Sequence, residues 1–340
     1  MEKEFYKKII LICIVFIFIG GFNFTLDPGN YFQRNNYKIL SEATGKNILV
    51  TSNIDERILK KNLIENLEEA IEILILGSSR IMSIGKDHFK QNKKVFNGGV
   101  SGAGIKDILG ILNIAEEKFD SIDTIFLGID PWLFNKNEDK RYKSIENDYL
   151  KFLEKLNQNQ TKDNFEKIKY LFRFSTLRDS FKILKNKKTG INLIDLSISQ
   201  DKNGNLFLAE DRSLVYSKKF ISENNGNWKT YLGYQMYDEK NLNQEKQKIF
   251  ENFINYCKNK KIKLIFYLPP YNPKNYEYLS LYRKSDYEQL NRVENYVKEI
   301  SNRYDIKLLG SYNDKKLEQY DFYDGIHLKR EKIAQILIFK

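Results

Sequence analysis

The sequence predicts an α/β domain, a parallel sheet with helical crossovers, carrying one long insertion and preceded by a membrane-spanning helix. Two observations predict the sheet. Short apolar runs of strand length, at 73–76, 94–97, 124–129, 263–268 and 306–309, alternate with longer stretches of helical apolar spacing. Connections of this length between successive strands imply parallel pairing through right-handed crossovers. A third observation predicts the membrane helix: residues 9–22 read IILICIVFIFIGGF without a polar interruption.

That apolar run is short against the roughly 20 residues that span a bilayer, and Phe24 and Leu26 extend it beyond Asn23. No small-x-small cleavage site follows, and Ile12 before Cys13 argues against a lipoprotein signal, so an uncleaved anchor is expected over 1–26. Lys3, Lys7 and Lys8 precede it and set the N-terminus inside, with the remainder outside the cytoplasm at the plasma membrane as a single-pass protein. A juxtamembrane segment is expected over 27–70, opening on the turn Asp27-Pro28-Gly29 and containing a charged helix at about 54–69. One domain then occupies 71–340.

Within that domain the stretch IEILILGSSR, 71–80, ends a buried-type strand abruptly at Gly77-Ser78-Ser79. The second strand, 94–97, runs into Gly98-Gly99-Val100-Ser101-Gly102-Ala103-Gly104, and helical spacing follows over 105–118. The third strand, 124–129, ends in Asp130-Pro131-Trp132. From 133 to about 244 the pattern loosens: charged helical stretches at 145–156 and 165–184 give way to polar sequence with Gly204, Gly226 and Gly233. This region is expected to be an insertion above the strand ends, a lid or substrate wall. Alternation resumes with a helix at 245–259, a strand at 263–268, a turn from Pro269 to Pro273, a helix at 285–304, a strand at 306–309, a loop carrying Asp324 and His327, and a last helix at 329–338.

Composition narrows the function. The net charge of +11 arises from 56 Lys and Arg against 45 Asp and Glu dispersed along the chain. Such dispersal reads as a solvated surface, compatible with an anionic membrane or envelope polymer, and no nucleic-acid partner is expected. Cys13 sits in the apolar run and Cys257 in a helix, which leaves neither a disulfide nor a thiolate metal cluster; no metal and no cofactor are expected. The glycines at 99 and 104 follow a strand, but Ile105 and the Lys106-Asp107 pair break the Gly-Lys-Ser/Thr requirement of a phosphate loop.

Only two histidines exist, His88 and His327. His88, beside Asp87 and Phe89, reads as a surface or loop residue. His327 lies three residues after Asp324, and a serine at a strand's carboxyl end stands where open α/β sheets place ligands. Serine, histidine and aspartate are the parts of an activated hydroxyl nucleophile. Ser79 is the nucleophile of choice, with Ser78 and then Ser101 as alternatives. Each motif alone also reads as a turn or a helix cap.

Together these blocks resemble the SGNH (GDSL-like) hydrolases and acyltransferases. Gly77-Ser78-Ser79 is similar to that family's first block, Asn97-Gly98-Gly99-Val100-Ser101-Gly102 to its second, and Asp324-Gly325-Ile326-His327 to its fifth. The resemblance implies a three-layer, flavodoxin-like fold. It implies that Ser79 attacks an ester carbonyl, that His327 takes the proton, that Asp324 fixes the imidazole, and that Gly99 lends its N–H to the oxyanion. The third block departs: Gly128-Ile129-Asp130-Pro131 puts Asp130 where the family carries an asparagine amide. An ionised aspartate only accepts hydrogen bonds and repels an oxyanion.

The anchor, the Asp-Pro after it and the Pro-Pro-Tyr after the fourth strand look like the branches that modify envelope polymers. The resemblance therefore implies an extracytoplasmic serine-dependent O-acyltransferase or esterase acting on a polysaccharide or glycan, with a membrane acyltransferase as a partner. The alternative expectation, motivated by Asp130, is a catalytically silent glycan-binding or scaffold protein of the same fold.

Overall fold

The computed structural model describes residues 2–26, 48–50, 55–89, 93–158, 171–172, 174, 176–178, 180–181, 184, 206–208, 214–215, 225–234 and 241–337. The expected turn at 27–29 and most of the stretches at 165–184 and 185–224 lie outside these residues.

Helix α1 (Glu2–Leu26) is the apolar N-terminal element, and it is the one described helix long and apolar enough to cross a membrane. Strand β1 (Ile48–Val50) and helix α2 (Glu56–Glu65) follow. The five main strands are β2 (Ile73–Leu76), β3 (Val95–Asn97), β4 (Thr124–Gly128), β7 (Lys263–Leu268) and β8 (Lys307–Gly310), joined through α3 (Ile105–Lys118), α4 (Glu146–Lys155), α5 (Gln244–Asn259), α6 (Pro273–Tyr282) and α7 (Lys284–Tyr304). A short helix, α8 (Arg330–Ile336), closes the described chain.

All five strands pair in parallel in the order β3-β2-β4-β7-β8. This is a doubly wound order compatible with a flavodoxin-like fold, and the direction of winding reverses between β2 and β4. The carboxyl ends of those two strands therefore flank the crevice where such sheets hold ligands.

The strands' period of two divides the core. Leu74, Leu76, Ile125, Leu127, Leu264, Phe266 and Leu268 face one side and pack with apolar residues of α2, α3, α4, α5 and α7. Ile73, Ile75, Phe126, Ile265 and Tyr267 face the other side, where Ile81, Leu317, Phe322, Leu328, Ile333 and Leu337 cover them. Strands buried on both faces read as the continuous apolar runs seen in the sequence.

Three placements differ from the sequence expectation. Helix α2, read as juxtamembrane, packs into the main core through Ile58, Leu59, Leu63 and Ile64. Asp55 starts it by accepting from the Arg57 and Ile58 N–H groups. Strand β1 pairs antiparallel with β5 (Leu206–Leu208), which pairs with β6 (Leu214–Val215), so a second small sheet joins the 27–70 segment to the insertion. Pro273 does not end a turn but opens α6: Asn272 caps it by accepting from Lys274 N–H, and Pro occupies the first turn, where its missing N–H costs nothing.

Candidate active site

Strand β2 is followed by Gly77, whose φ of +144° is open to glycine and strained for other residues; a Cβ there would also press on the Gly128 carbonyl. The chain then enters a single 3-10 turn, Ser79–Ile81, with Ser78 as its cap accepting from Arg80 N–H. Ile81 plugs this turn onto the strand ends. Added Cβ atoms at Gly77, Gly99 and Gly128 would each collide with the Ile81 side chain. The glycines ending three neighbouring segments thus make one socket, and the socket fixes where Ser79 points.

The second half of the site lies on the loop before α8. The bridge between Phe322 and Leu328, with Tyr323 N–H donating to His327 O at 2.9 Å, closes the loop. The start of α6 holds it from one side: Asn272 N–H and Asn275 Nδ2 both donate to Gly325 O, at 3.1 and 3.0 Å. Gly325 admits this contact, because a Cβ there would run into Thr230 O, Trp228 O and Asn275 Nδ2.

These two halves meet across 248 positions of sequence. His327 Nε2 lies 2.8 Å from Ser79 Oγ, and His327 Nδ1 lies 2.7 Å from Asp324 Oδ2. Asp324 Oδ1 accepts from the Ile326 and His327 N–H groups at 2.9 and 2.8 Å. Burial alone would raise the Asp324 pKa, but the adjacent imidazole and these two N–H groups outweigh it and hold the carboxyl below its usual range. An ionised Asp324 accepting from Nδ1–H leaves Nε2 as the lone-pair nitrogen facing the serine, the tautomer that proton abstraction requires.

Gly99 and Asp130, the residues expected at the oxyanion, are arranged differently. Gly99 N–H donates to Asn97 Oδ1 at 2.9 Å, so its amide is already engaged. The same Asn97 side chain reaches the Ile81, Met82 and Ile84 carbonyls through Nδ2, at 2.8, 3.2 and 2.8 Å, and so caps the far end of the Ser79–Ile81 turn.

Asp130 is 2% exposed and pairs with Arg80 Nη1 at 2.9 Å. Burial pushes its carboxyl pKa up, against the opposing pull of Arg80 and Ser78. The Arg80 guanidinium also donates to Ile326 O, Pro269 O and Pro270 O and stacks over Tyr271 at 4.3 Å. Arg80 therefore binds the Ser79–Ile81 turn, the β4 end, the β7 end and the histidine loop into one piece. Its sequence signal is no more than a charged residue immediately after Ser79. Of the backbone donors, the Ser79 N–H heads the 3-10 turn, a position with no partner inside the turn.

The alternatives resolve by contact. Ser78 is fully buried and its Oγ caps the turn, and Ser101 Oγ donates to Glu56 Oε1 at 2.8 Å. His88 is buried rather than on the surface: it sits in a 3-10 turn with Nδ1 2.9 Å from Asp87 Oδ1 and Nε2 3.3 Å from Arg330 O.

The end of the insertion covers the site. Residues 225–234 join the histidine loop through the bridge between Asn227 and Asp324, and Gly226 N–H donates to Phe322 O at 3.0 Å. Tyr231 stands edge-on to the His327 ring, with centroids 5.3 Å apart at 81°. Its φ of +64° is rare for an aromatic residue, and strain of this kind concentrates at functional sites. Trp132 lies in the turn after β4 with its indole buried, donates from Nε1 to Ala103 O at 3.0 Å and meets Tyr234 edge-on.

No protein-family model matches the chain, and no curated protein matches it either.

Proposed function

We propose that the chain is a membrane-anchored, extracytoplasmic SGNH-type serine esterase or O-acyltransferase that acts on a cell-envelope polysaccharide or related glycan. The observation that carries the reading is the 2.8 Å contact between His327 Nε2 and Ser79 Oγ, with Asp324 behind the imidazole. Ser79 Oγ attacks the ester carbonyl while His327 takes its proton, and the C–O bond to the leaving alcohol breaks as His327 returns that proton. The acyl group, then on Ser79, passes to water in an esterase or to a sugar hydroxyl in a transferase. Acetyl is the acyl group that the SGNH resemblance suggests. The oxyanion receives the Ser79 N–H, and Tyr231 and the 225–234 segment wall the entrance. A membrane acyltransferase fits as the donor's source, and α1 as the tether.

Purified protein is expected to release p-nitrophenol from p-nitrophenyl acetate and to lose that activity in Ser79→Ala and in His327→Ala. Equal rates in all three proteins contradict the proposal. A second reading, a silent glycan-binding or scaffold protein of the same fold, is favoured by one specific pair of contacts. The Gly99 N–H is spent on Asn97 and Asp130 is spent on Arg80. Loss of one oxyanion donor typically lowers turnover about 100- to 1000-fold.

A further inference from the structure

The polar interruption in the apolar run, Asn23, is fully buried, although Phe5, Ile10, Leu11, Ile12, Phe16, Ile17 and Phe18 of the same helix are more than half exposed. Its amide is satisfied from the insertion. Asn23 Nδ2 donates to Leu171 O at 2.6 Å, and Ser180 Oγ donates to Asn23 Oδ1 at 2.8 Å. Phe172 and Phe181 pack on Phe16 and Phe22, with ring centroids 5.6 and 5.1 Å apart. Gly20 lets the Phe172 ring lie close to the helix backbone, since a Cβ there would come within 3.0 Å of it. Small residues and a paired amide are the usual means by which helices associate where lipid gives no hydrophobic drive.

The segment that grips α1 has two faces. Thr176 and Ser180, four apart and helical, are buried. Phe174 and Phe181, seven apart and so on one side, are 81% and 59% exposed, and Phe172 and Leu184 add 42% and 36%. Through the Phe172–Phe16 and Phe181–Phe22 contacts these partly exposed rings lie against α1. The uninterrupted apolar run of α1 covers only about 21 Å at 1.5 Å per residue, against a hydrocarbon core of about 30 Å. A short anchor is accommodated by local thinning or by recruiting neighbours.

We propose that Phe172, Phe174, Phe181 and Leu184 form a second membrane contact: the face carrying these four side chains enters the bilayer beside the carboxyl-terminal third of α1. The inference rests on the reading of α1 as a membrane helix and not on the chemistry at Ser79. The chain then carries both lipid-facing side chains at Phe174 and Phe181 and the Tyr231 wall beside His327, which suits a substrate or acyl donor held at the membrane surface.

The test uses the full chain in phosphatidylcholine–phosphatidylglycerol vesicles, labelled with an environment-sensitive fluorophore at single cysteines. Native Cys13, exposed on α1, is the internal standard; Cys257 is buried, and its labelling is checked in Cys13→Ser. Phe174→Cys and Phe181→Cys, each in Cys13→Ser, are the probes, and Tyr320→Cys is the aqueous control. Nitroxide-bearing lipid is expected to quench the labels at 174 and 181 to the same degree as the label at Cys13, while iodide quenches the label at 320. Iodide quenching of 174 and 181 with Cys13 still quenched by lipid overturns the proposal and leaves α1 as the sole membrane contact. Protection of 174 and 181 from both quenchers overturns it in favour of a protein surface. A Cys13 label untouched by lipid removes the premise.

Discussion

Two sides of one serine differ in how they are built. On the proton side, His327 and Asp324 reach Ser79 in a continuous chain of hydrogen bonds, and the aspartate is held ionised by the imidazole and two backbone N–H groups. On the other side, the two residues expected at an oxyanion are turned to structural work. Gly99 N–H serves Asn97, and the Asp130 carboxylate neutralises Arg80. The two aspartates make the contrast sharp, because both are buried and their pKa values move in opposite directions. Asp324 gains more from its partners than burial takes away; for Asp130 burial wins. The Ser79–His327–Asp324 hydrogen-bond chain is thus already formed in the free protein, whereas Gly99 and Asp130 are already engaged by neighbours of their own.

The largest effect expected from this contrast is kinetic. Asp324→Asn removes the acceptor that sets the imidazole tautomer and is expected to lower ester turnover roughly 10⁴-fold, measured on p-nitrophenyl acetate. Asp130→Asn, by comparison, leaves the relay intact. A loss as large as that of Asp324→Asn would place Asp130 in the relay and break the comparison.

Next in size is a stability effect. Arg80→Met strips the buried Asp130 carboxyl of its cation and the Ile326, Pro269 and Pro270 carbonyls of their donor, and is expected to cost about 3–5 kcal/mol in urea unfolding. The double variant Arg80→Met with Asp130→Leu is expected to recover most of that loss, since both charges leave together. No recovery in the double variant would show that the guanidinium's hydrogen bonds to Ile326, Pro269 and Pro270, rather than the ion pair, carry the stability.

The smallest expected effect is an acid limb. Because Asp324 has a folded pKa below its unfolded value of about 3.9, the native state binds fewer protons there and stability rises with pH across that window. The contribution is complete above the unfolded value and disappears as pH falls through the folded one. Thermal unfolding from pH 6 to pH 3 is expected to show a shallower acid decline in Asp324→Asn than in the native protein. Parallel declines would place the ionisation elsewhere.

How much of this the sequence carried follows from distance and direction. Apolar runs at 73–76, 124–128 and 263–268 are buried on both faces, and burial of that kind is written directly in residue type. Ser79, Asp324 and His327 were legible because a proton relay needs particular side chains at strand-end and loop positions. Asn97 was not, because its effect is to redirect a backbone N–H two residues away, and residue type does not say where an amide points. Arg80 was not, because its partners at 130, 269, 270 and 326 are far apart in the chain. The pairing of β1 with β5 is invisible for the same reason: three-residue strands have no periodicity to read, and their register is set by a partner more than a hundred residues away.

The most direct test of the central claim is covalent. A fluorophosphonate ester phosphonylates a serine, with fluoride leaving, only when a neighbouring base removes the serine's proton, so it reads the Ser79–His327 contact without needing the natural substrate. Incubated with the full chain and mapped by peptide mass spectrometry, the reagent is expected to modify Ser79 and to leave Ser78 and Ser101 untouched, with the modification lost in His327→Gln. Unmodified Ser79 in the native protein, or equal labelling in His327→Gln, would contradict the account.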